Sequence, residues 1–449
     1  MVMPRTLTSL AEATGGRLIG HDAAFAAVVS DSRRMETGAL FVCLKGPRFD
    51  GHDFAAAALQ GGAAGVLAER AALGEAPRVE TADTLVALGD FAGAWRKAHE
   101  VCVVGITGSN GKTTTKNLLA AVLAQQAPTL ATRGNLNNRI GLPLTLSRLD
   151  ASHRYAVVEL GISLPGEMAK LAGIAQADAA VVTNVAPAHL KGFGDVEGVA
   201  REKGRLPASL PADGLAVVPA DFPWLDAWRK TFAVRNWLTF GFDARADVSA
   251  RAIEFTATGS RFEMLTPKGG TEVHLQLLGR HNIGNALAAA ALAAGWGLPE
   301  EKIARGLAAV HPEPGRMVPH RLASGAVLID DSYNANPASL AAAMETAAAL
   351  GRPLWLVLGE LGELGSGAAR WHARAGRQAR RAGVSRLFAL GPLAAHAASA
   401  FGEGGKTFAN REDLLEQLAK ALPADAVLLV KGSRSAQMER VAAALGGEK

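Results

Sequence analysis

The chain has 449 residues, 49% hydrophobic and 20% charged, with a formal net charge of +5 and a pI of about 9.3. That is enough apolar material for the cores of roughly two to four domains. No Lys/Arg run is long enough for a nucleic-acid arm and no aromatics alternate with basic residues, so the positive balance reads as attraction for anionic small molecules, with no nucleic-acid partner.

Two cysteines, Cys43 and Cys102, exclude a disulfide framework and a cysteine-only zinc site. Residues 1–20 lack a signal-like apolar core, and the most apolar long stretch, 286–298, is too short to span a bilayer. A cytoplasmic protein without membrane insertion is expected.

Residues 1–95 read as a separate small α/β unit. Strands are expected at 39–44 and 64–68 and a helix at 55–59. Two polar clusters flank them: Asp31-Ser32-Arg33-Arg34, and the loop from Lys45-Gly46 through Asp50-Gly51-His52. They are either ordinary solvated turns or a pocket for an anionic or sugar ligand.

Residues 96–313 read as a nucleotide domain. The apolar run 101–104 leads into Gly105-Ile106-Thr107-Gly108-Ser109-Asn110-Gly111-Lys112-Thr113-Thr114-Thr115, and a helix follows. Strand, glycine turn, Lys-Thr and helix is the layout of a phosphate-binding loop. Its backbone N–H groups and the helix N-terminus hold phosphate, Lys112 reaches the outer phosphates, and the Thr113 hydroxyl holds Mg²⁺. The usual first glycine of the pattern is replaced by Ile106.

The amide-rich loop 132–143, containing Asn138, reads as a binding loop. Strands at 155–161 and 179–184 carry Glu159 and lead to His189. In a parallel sheet, ligands sit at the strands' C-terminal ends, so Lys112, Thr113, Glu159 and His189 are expected on one edge, with Glu159 on Mg²⁺ directly or through water. A short helix at 197–204 carries Lys203, locally one charge among several. Residues 212–280 suggest a small antiparallel subsheet. Asn282 and Asn285 share a helical face, where they either read a purine edge or cap the helix.

The Pro- and Gly-containing segment 311–317 reads as a boundary. Residues 314–449 then form a Rossmann-like domain with strands at 326–331, 354–358, 386–390 and 426–430. The first ends in Asp330-Asp331, of which only one faces any given site. A polar turn containing Asn334 and Asn336 and a helix at 339–350 follow it. Lys431-Gly432-Ser433-Arg434 forms a basic turn at the same kind of edge.

Gly-Ser-Asn-Gly-Lys-Thr-Thr-Thr from 108, Glu-Leu-Gly from 159, Asn184 with His189, Gly-Arg-His-Asn-Ile-Gly-Asn from 279 and Gly-Arg from 315 occur in order. This set resembles the Mur ligase family, whose members build the peptide of bacterial cell-wall precursors. The stretches 330–337 and 358–365 are similar to the family's last step, which joins D-alanyl-D-alanine to UDP-N-acetylmuramoyl-tripeptide.

The resemblance implies an α/β protein of three domains: a small N-terminal α/β domain (1–95), a central P-loop ATPase-like parallel-sheet domain (96–313) and a C-terminal Rossmann-like domain (314–449). It implies ATP-dependent amide ligation through an acyl phosphate, by an enzyme expected to be a monomer. It places ATP on Gly108, Ser109, Asn110, Gly111, Lys112, Thr113, Thr114, Asn282, Asn285, Arg316 and Asp331. It places the uridine nucleotide on Ser32, Arg33, Lys45, Gly46, Asp50, Gly51, His52 and Asn138, and the dipeptide on Asn334 and Asn336. Two Mg²⁺ sites are implied, using Thr113, Glu159, His189 and Lys203, the last as a carbamate. Family members usually carry Glu two positions after this lysine; here Arg205 stands there.

Hinge closure of the third domain onto the nucleotide is also expected. The rivals are a ligase for a charged amino acid, which would call for arginine after Asp331, a phosphotransferase that needs no amine, and a non-catalytic nucleotide-sugar binder.

Overall fold

The computed structural model describes residues 3–70 and 73–446 and builds three sheets of five, nine and six strands. Every strand of the first lies within residues 17–80, of the second within 102–275 and of the third within 318–431.

The first sheet runs Arg17–Ile19, Arg78–Glu80, Gly65–Ala68, Leu40–Val42, Val28–Val29, parallel except at the first pair. It is not an isolated body. Helix Thr84–Lys97 buries Leu88, Phe91 and Trp95 in a core that joins Leu7, Leu40 and Val79 of the N-terminal unit to Val103, Leu142 and Ala156 of the next. The Trp95 indole donates to Leu149 O at 3.1 Å, and Arg5 reaches the carbonyls of Ser147 and Leu149. The apolar stripe of the helix has two sides to bury, so the core does not stop at residue 95.

In the nine-stranded sheet, Cys102–Thr107 lies between Ala179–Val182 and Tyr155–Glu159 in parallel pairing. Runs such as Val103-Val104 and Val157-Val158 are fully buried because helices cover both faces. The strands Val248–Phe255, Ser260–Thr266 and Gly269–Leu275 are antiparallel to one another, as alternation predicts. They are not a separate subsheet: Val248–Phe255 pairs with Asn236–Gly241 and extends the main sheet. Helix Arg280–Gly295 is buried nearly all round, and its alanines let it lie close to both the sheet and helix Lys112–Ala124.

The third sheet runs Val318–Arg321, Val327–Asp331, Val427–Lys431, Leu354–Leu358, Val384–Leu390, Gly405–Phe408. Parallel register sets Asp331 opposite Lys431. The two edge strands, short and polar, carry little of the apolar pattern by which the other four are read. No helix among the described residues is long and apolar enough to cross a membrane.

The nucleotide helix Lys112–Ala124 is braced by helix Glu300–Ala308, whose Gly306 packs directly on Val122; a Cβ there would overlap the Val122 backbone. Alanine is the better helix former, yet Gly306→Ala is expected to destabilise the protein by about 1–3 kcal/mol, the usual cost of overpacking. A urea melt followed by circular dichroism checks this.

Candidate active site

The loop after Cys102–Thr107 is built by close approach. Gly108 and Gly111 have φ of 150° and 80°, and a Cβ on them would overlap Thr183 Oγ1 and Asn285 Oδ1 respectively. Ile106, where the usual pattern has glycine, is instead fully buried in the strand, so the loop's free turn begins at Gly108. Asn184 Oδ1 accepts from Asn110 N–H at 3.0 Å, and its amide donates to Asn110 O at 3.1 Å. Ser109 Oγ donates to Ala186 O at 3.0 Å. The neighbouring strand end therefore fixes the loop before any phosphate arrives.

Lys112 folds its ammonium onto Gly108 O at 2.8 Å. Burial lowers its pKa, and the negative charge of Glu159 acts against that. Thr113 donates to Glu159 Oε2 at 2.9 Å and accepts from Arg316 Nη2 at 3.1 Å, while Asn137 Nδ2 donates to Glu159 Oε1 at 2.8 Å. Glu159 is only 2% exposed, so its charge is held almost wholly by these neighbours. A carboxylate and a hydroxyl are the hard oxygen donors that Mg²⁺ takes beside phosphate oxygens. Among the described residues no three His, Cys, Asp or Glu side chains converge as a self-contained metal cage.

Lys203 lies on helix Val196–Ala208, 1% exposed and without an ion pair among the described residues. Burial first, and the charge of Lys112 second, hold its pKa well below the usual lysine value. Its neighbour Glu202 is turned away, accepting from Met168 N–H at 3.1 Å and Arg205 Nε at 3.0 Å. Arg205 is half-exposed in that pair and lines a separate outer groove with Asp178. The substitution noted in the sequence thus sits on an outward face of the helix.

The phosphate loop and Glu159 form one wall of a cleft of about 1010 Å³; Arg316, Asp331, Tyr333, Asn334, Asn336 and Lys431 form the other. Lys431 Nζ meets Asp331 Oδ2 and donates to Asn334 O at 2.9 Å. Burial raises the Asp331 pKa in spite of that pairing. Arg316 stacks over the Tyr333 ring at 4.1 Å, and Asn336 Nδ2 donates to Asn110 Oδ1 at 2.6 Å, joining the two walls. Asp330 instead accepts from Ser332 N–H at 3.0 Å, as strand alternation requires.

Asn282 and Asn285 line the cleft but bond to each other at 3.0 Å, and Asn282 Nδ2 donates to Leu278 O. His189 lines the cleft too, with Nδ1 against Glu363 and Nε2 without a hydrogen-bond partner among the described residues. Asn138 lines the cleft while its Oδ1 accepts from Ile140 and Gly141 N–H groups, capping a short helix.

The N-terminal candidates lie elsewhere: none of the residues lining the cleft precedes Ser109. Arg33 pairs with Asp31 at 2.9 Å, Lys45 pairs with Glu69, and both nitrogens of His52 are engaged, with Asp50 at 2.5 Å and Glu69 N–H at 3.0 Å. His52 thus ties the loop to the strand Gly65–Ala68.

Sequence reasoning gave no role to Asn137, Thr183, His281 or Tyr333. A lone side chain in a loop carries no periodic signal, and only the fold brings these four to the cleft.

Gly111→Ala is expected to weaken binding of a non-hydrolysable nucleotide by about tenfold or more, since it needs both a left-handed backbone and the space of Asn285; calorimetric titration measures it. His281 gives a pH test. Burial, with Lys431 nearby, drops its pKa to about 4. Between pH 6.5 and 4 the unfolded chain binds this proton and the folded one does not, so its contribution is full above 6.5 and fades as pH falls. Stability is expected to drop by about 3 kcal/mol across that window, and His281→Asn to flatten the slope in denaturant melts.

Comparison with known proteins agrees along the whole chain. Residues 24–94 match the Mur ligase family catalytic domain, 106–293 the Mur ligase middle domain, and 315–434 the Mur ligase glutamate ligase domain. The chain is 42% identical over 444 residues, 98% of each chain, to the UDP-N-acetylmuramoyl-tripeptide–D-alanyl-D-alanine ligase of Escherichia coli. It superposes on a crystal structure of MurF from Acinetobacter baumannii with a TM-score of 0.92, at 33% identity and 99% coverage of both. It superposes on the MurF ligase of Thermotoga maritima in complex with ADP with a TM-score of 0.84, at 27% identity, covering 94% of this chain and 97% of that one.

Proposed function

The chain belongs to the Mur ligase family, and from that footing we propose that it joins D-alanyl-D-alanine to UDP-N-acetylmuramoyl-tripeptide at the expense of ATP. The observation that carries the reading is the two-walled cleft: a phosphate loop with Lys112 and Glu159 on one side, and the uncharged amides of Asn334 and Asn336 beside Asp331 and Lys431 on the other. The turn after Asp331, Ser-Tyr-Asn-Ala-Asn-Pro, has no arginine with which to select an acidic amino acid. Residues 1–95 hold the uridine nucleotide through Ser32, Arg33, Lys45, Gly46, Asp50, Gly51 and His52, residues 96–313 hold ATP, and 314–449 supply the dipeptide side.

A carboxylate does not condense usefully with an amine in water. Transfer of the γ-phosphoryl group to the tripeptide carboxylate makes an acyl phosphate; attack by the dipeptide amine then expels phosphate and leaves an amide. The protein's part is positioning and charge neutralisation. Lys112 and the loop N–H groups hold the phosphates, Arg316 reaches the nucleotide from the boundary, and the seated C-terminal wall excludes water. Mg²⁺, when bound, neutralises the phosphoryl oxygens; Thr113, Glu159 and the free nitrogen of His189 are the groups that would hold it. The depressed pKa of Lys203 keeps the amine in the form that adds CO₂, losing a proton to give a carbamate, and so supplies a further carboxylate-like ligand.

Phosphate release measured with ATP, UDP-N-acetylmuramoyl-tripeptide and D-alanyl-D-alanine, omitting each in turn, is expected to need all three. Release without the dipeptide would point to a phosphotransferase. Lys203→Ala is expected to lower the rate by on the order of 10²–10³, with partial recovery on adding short carboxylic acids; no recovery would remove the carbamate from the reading.

A further inference from the structure

One ionised group approaches the phosphate loop from the C-terminal unit without a role in the scheme above: Glu363. It lies in the loop Gly-Glu-Leu-Gly-Glu-Leu-Gly that begins at residue 359, between strand Leu354–Leu358 and helix Ala368–Arg381. That loop is rigidly seated. Gly359 N–H donates to Lys431 O at 2.8 Å, Ser433 N–H to Glu360 O at 2.8 Å, and Leu393 N–H to Glu360 Oε1 at 2.9 Å.

The buried His372 accepts from Leu361 N–H at 2.9 Å through Nε2, and its Nδ1 donates to Ala368 O at 2.8 Å. Leu361 and Leu364 are buried on either side. Glu363 is the residue left to project, and its carboxylate meets Nδ1 of His189, on the loop after strand Ala179–Val182.

Both partners hold left-handed backbones, φ 60° at Glu363 and 53° at His189, conformations that non-glycine residues adopt at a cost. A half-exposed ion pair adds little stability, too little to account for two such residues facing each other across two domains. The loops are in close approach here: an added Cβ at Gly365 would lie 3.9 Å from Lys191 Cα.

The geometry points to Glu363 as the positioning residue of His189: the C-terminal unit, once seated, holds the imidazole by Nδ1–H and so fixes the tautomer that leaves the Nε2 lone pair free at the nucleotide site. His189 is set only in the closed arrangement, so the phosphoryl group meets a complete site only when the dipeptide wall is in place. The inference rests on the ligase reading.

The test is a double-mutant cycle in the full-length enzyme. Glu363→Ala and Glu363→Gln are expected to lower kcat by about 10- to 100-fold with KM values nearly unchanged, the range for outer-shell partners of a metal-site histidine. Glu363→Asp is expected to recover part of the loss. In the double variant with His189→Ala, the Glu363 change is expected to cost nothing further. A second readout is the ¹⁵N spectrum of histidine-labelled enzyme with a non-hydrolysable ATP analogue: His189 shows the Nδ1–H tautomer, and Glu363→Ala abolishes that preference.

Multiplicative losses in the cycle, a kcat unchanged by both Glu363 substitutions, or an unchanged His189 tautomer overturns the inference while normal ligation by the unaltered enzyme leaves the functional reading standing. An unaltered enzyme that does not ligate overturns both.

Discussion

The molecule is arranged around a carboxylate set where water is nearly absent. Glu159 ends a strand buried beyond its first residue, and its carboxylate is held by a threonine hydroxyl and an asparagine amide. Removing any one of these holders would leave the charge short of partners in a low-dielectric wall. The strand register beside Ile106, the turn at Gly108 and the start of helix Lys112–Ala124 together place Thr113 against that carboxylate. Arg316 reaches the same hydroxyl from outside the sheet, so the boundary segment between the second and third units is tied to the buried group as well.

The three units are joined by two different kinds of contact. Between the first and second, Phe91, Trp95 and Leu88 belong to one continuous apolar core. Between the second and third the contacts are polar: Asn336 to Asn110, Arg316 to Thr113 and His189 to Glu363. Burying apolar surface ties two bodies permanently, whereas hydrogen bonds exchange for water at small net cost. The cleft lies on the polar junction.

The parallel architecture was legible because buried parallel strands read as apolar runs: 101–104, 155–158 and 179–182 fall in observed strands or directly beside them. The phosphate loop was legible because its glycines answer a backbone demand that no other residue meets. What sequence could not give was depth and pairing. Lys203 reads locally as one charge on a polar helix, and only its 1% exposure makes it chemically unusual. Asn282 and Asn285 were seen to share a face, but spacing does not tell that they satisfy each other. The prolines and glycine at 311–317 mark a border, and the shared core around Trp95 has no such signal, because an apolar stripe does not say which neighbour it will cover. Glu363 sits in a motif of glycines and leucines whose purpose is visible only from the other domain.

The polar junction has a consequence for the chemistry it covers. Its groups exchange for water at small net cost, so parting this junction costs less than parting the apolar core around Trp95. An activated carboxylate is at risk from water throughout its life. What protects it is the wall that the third unit lays over the phosphate loop, held there by groups as polar as the solvent they displace.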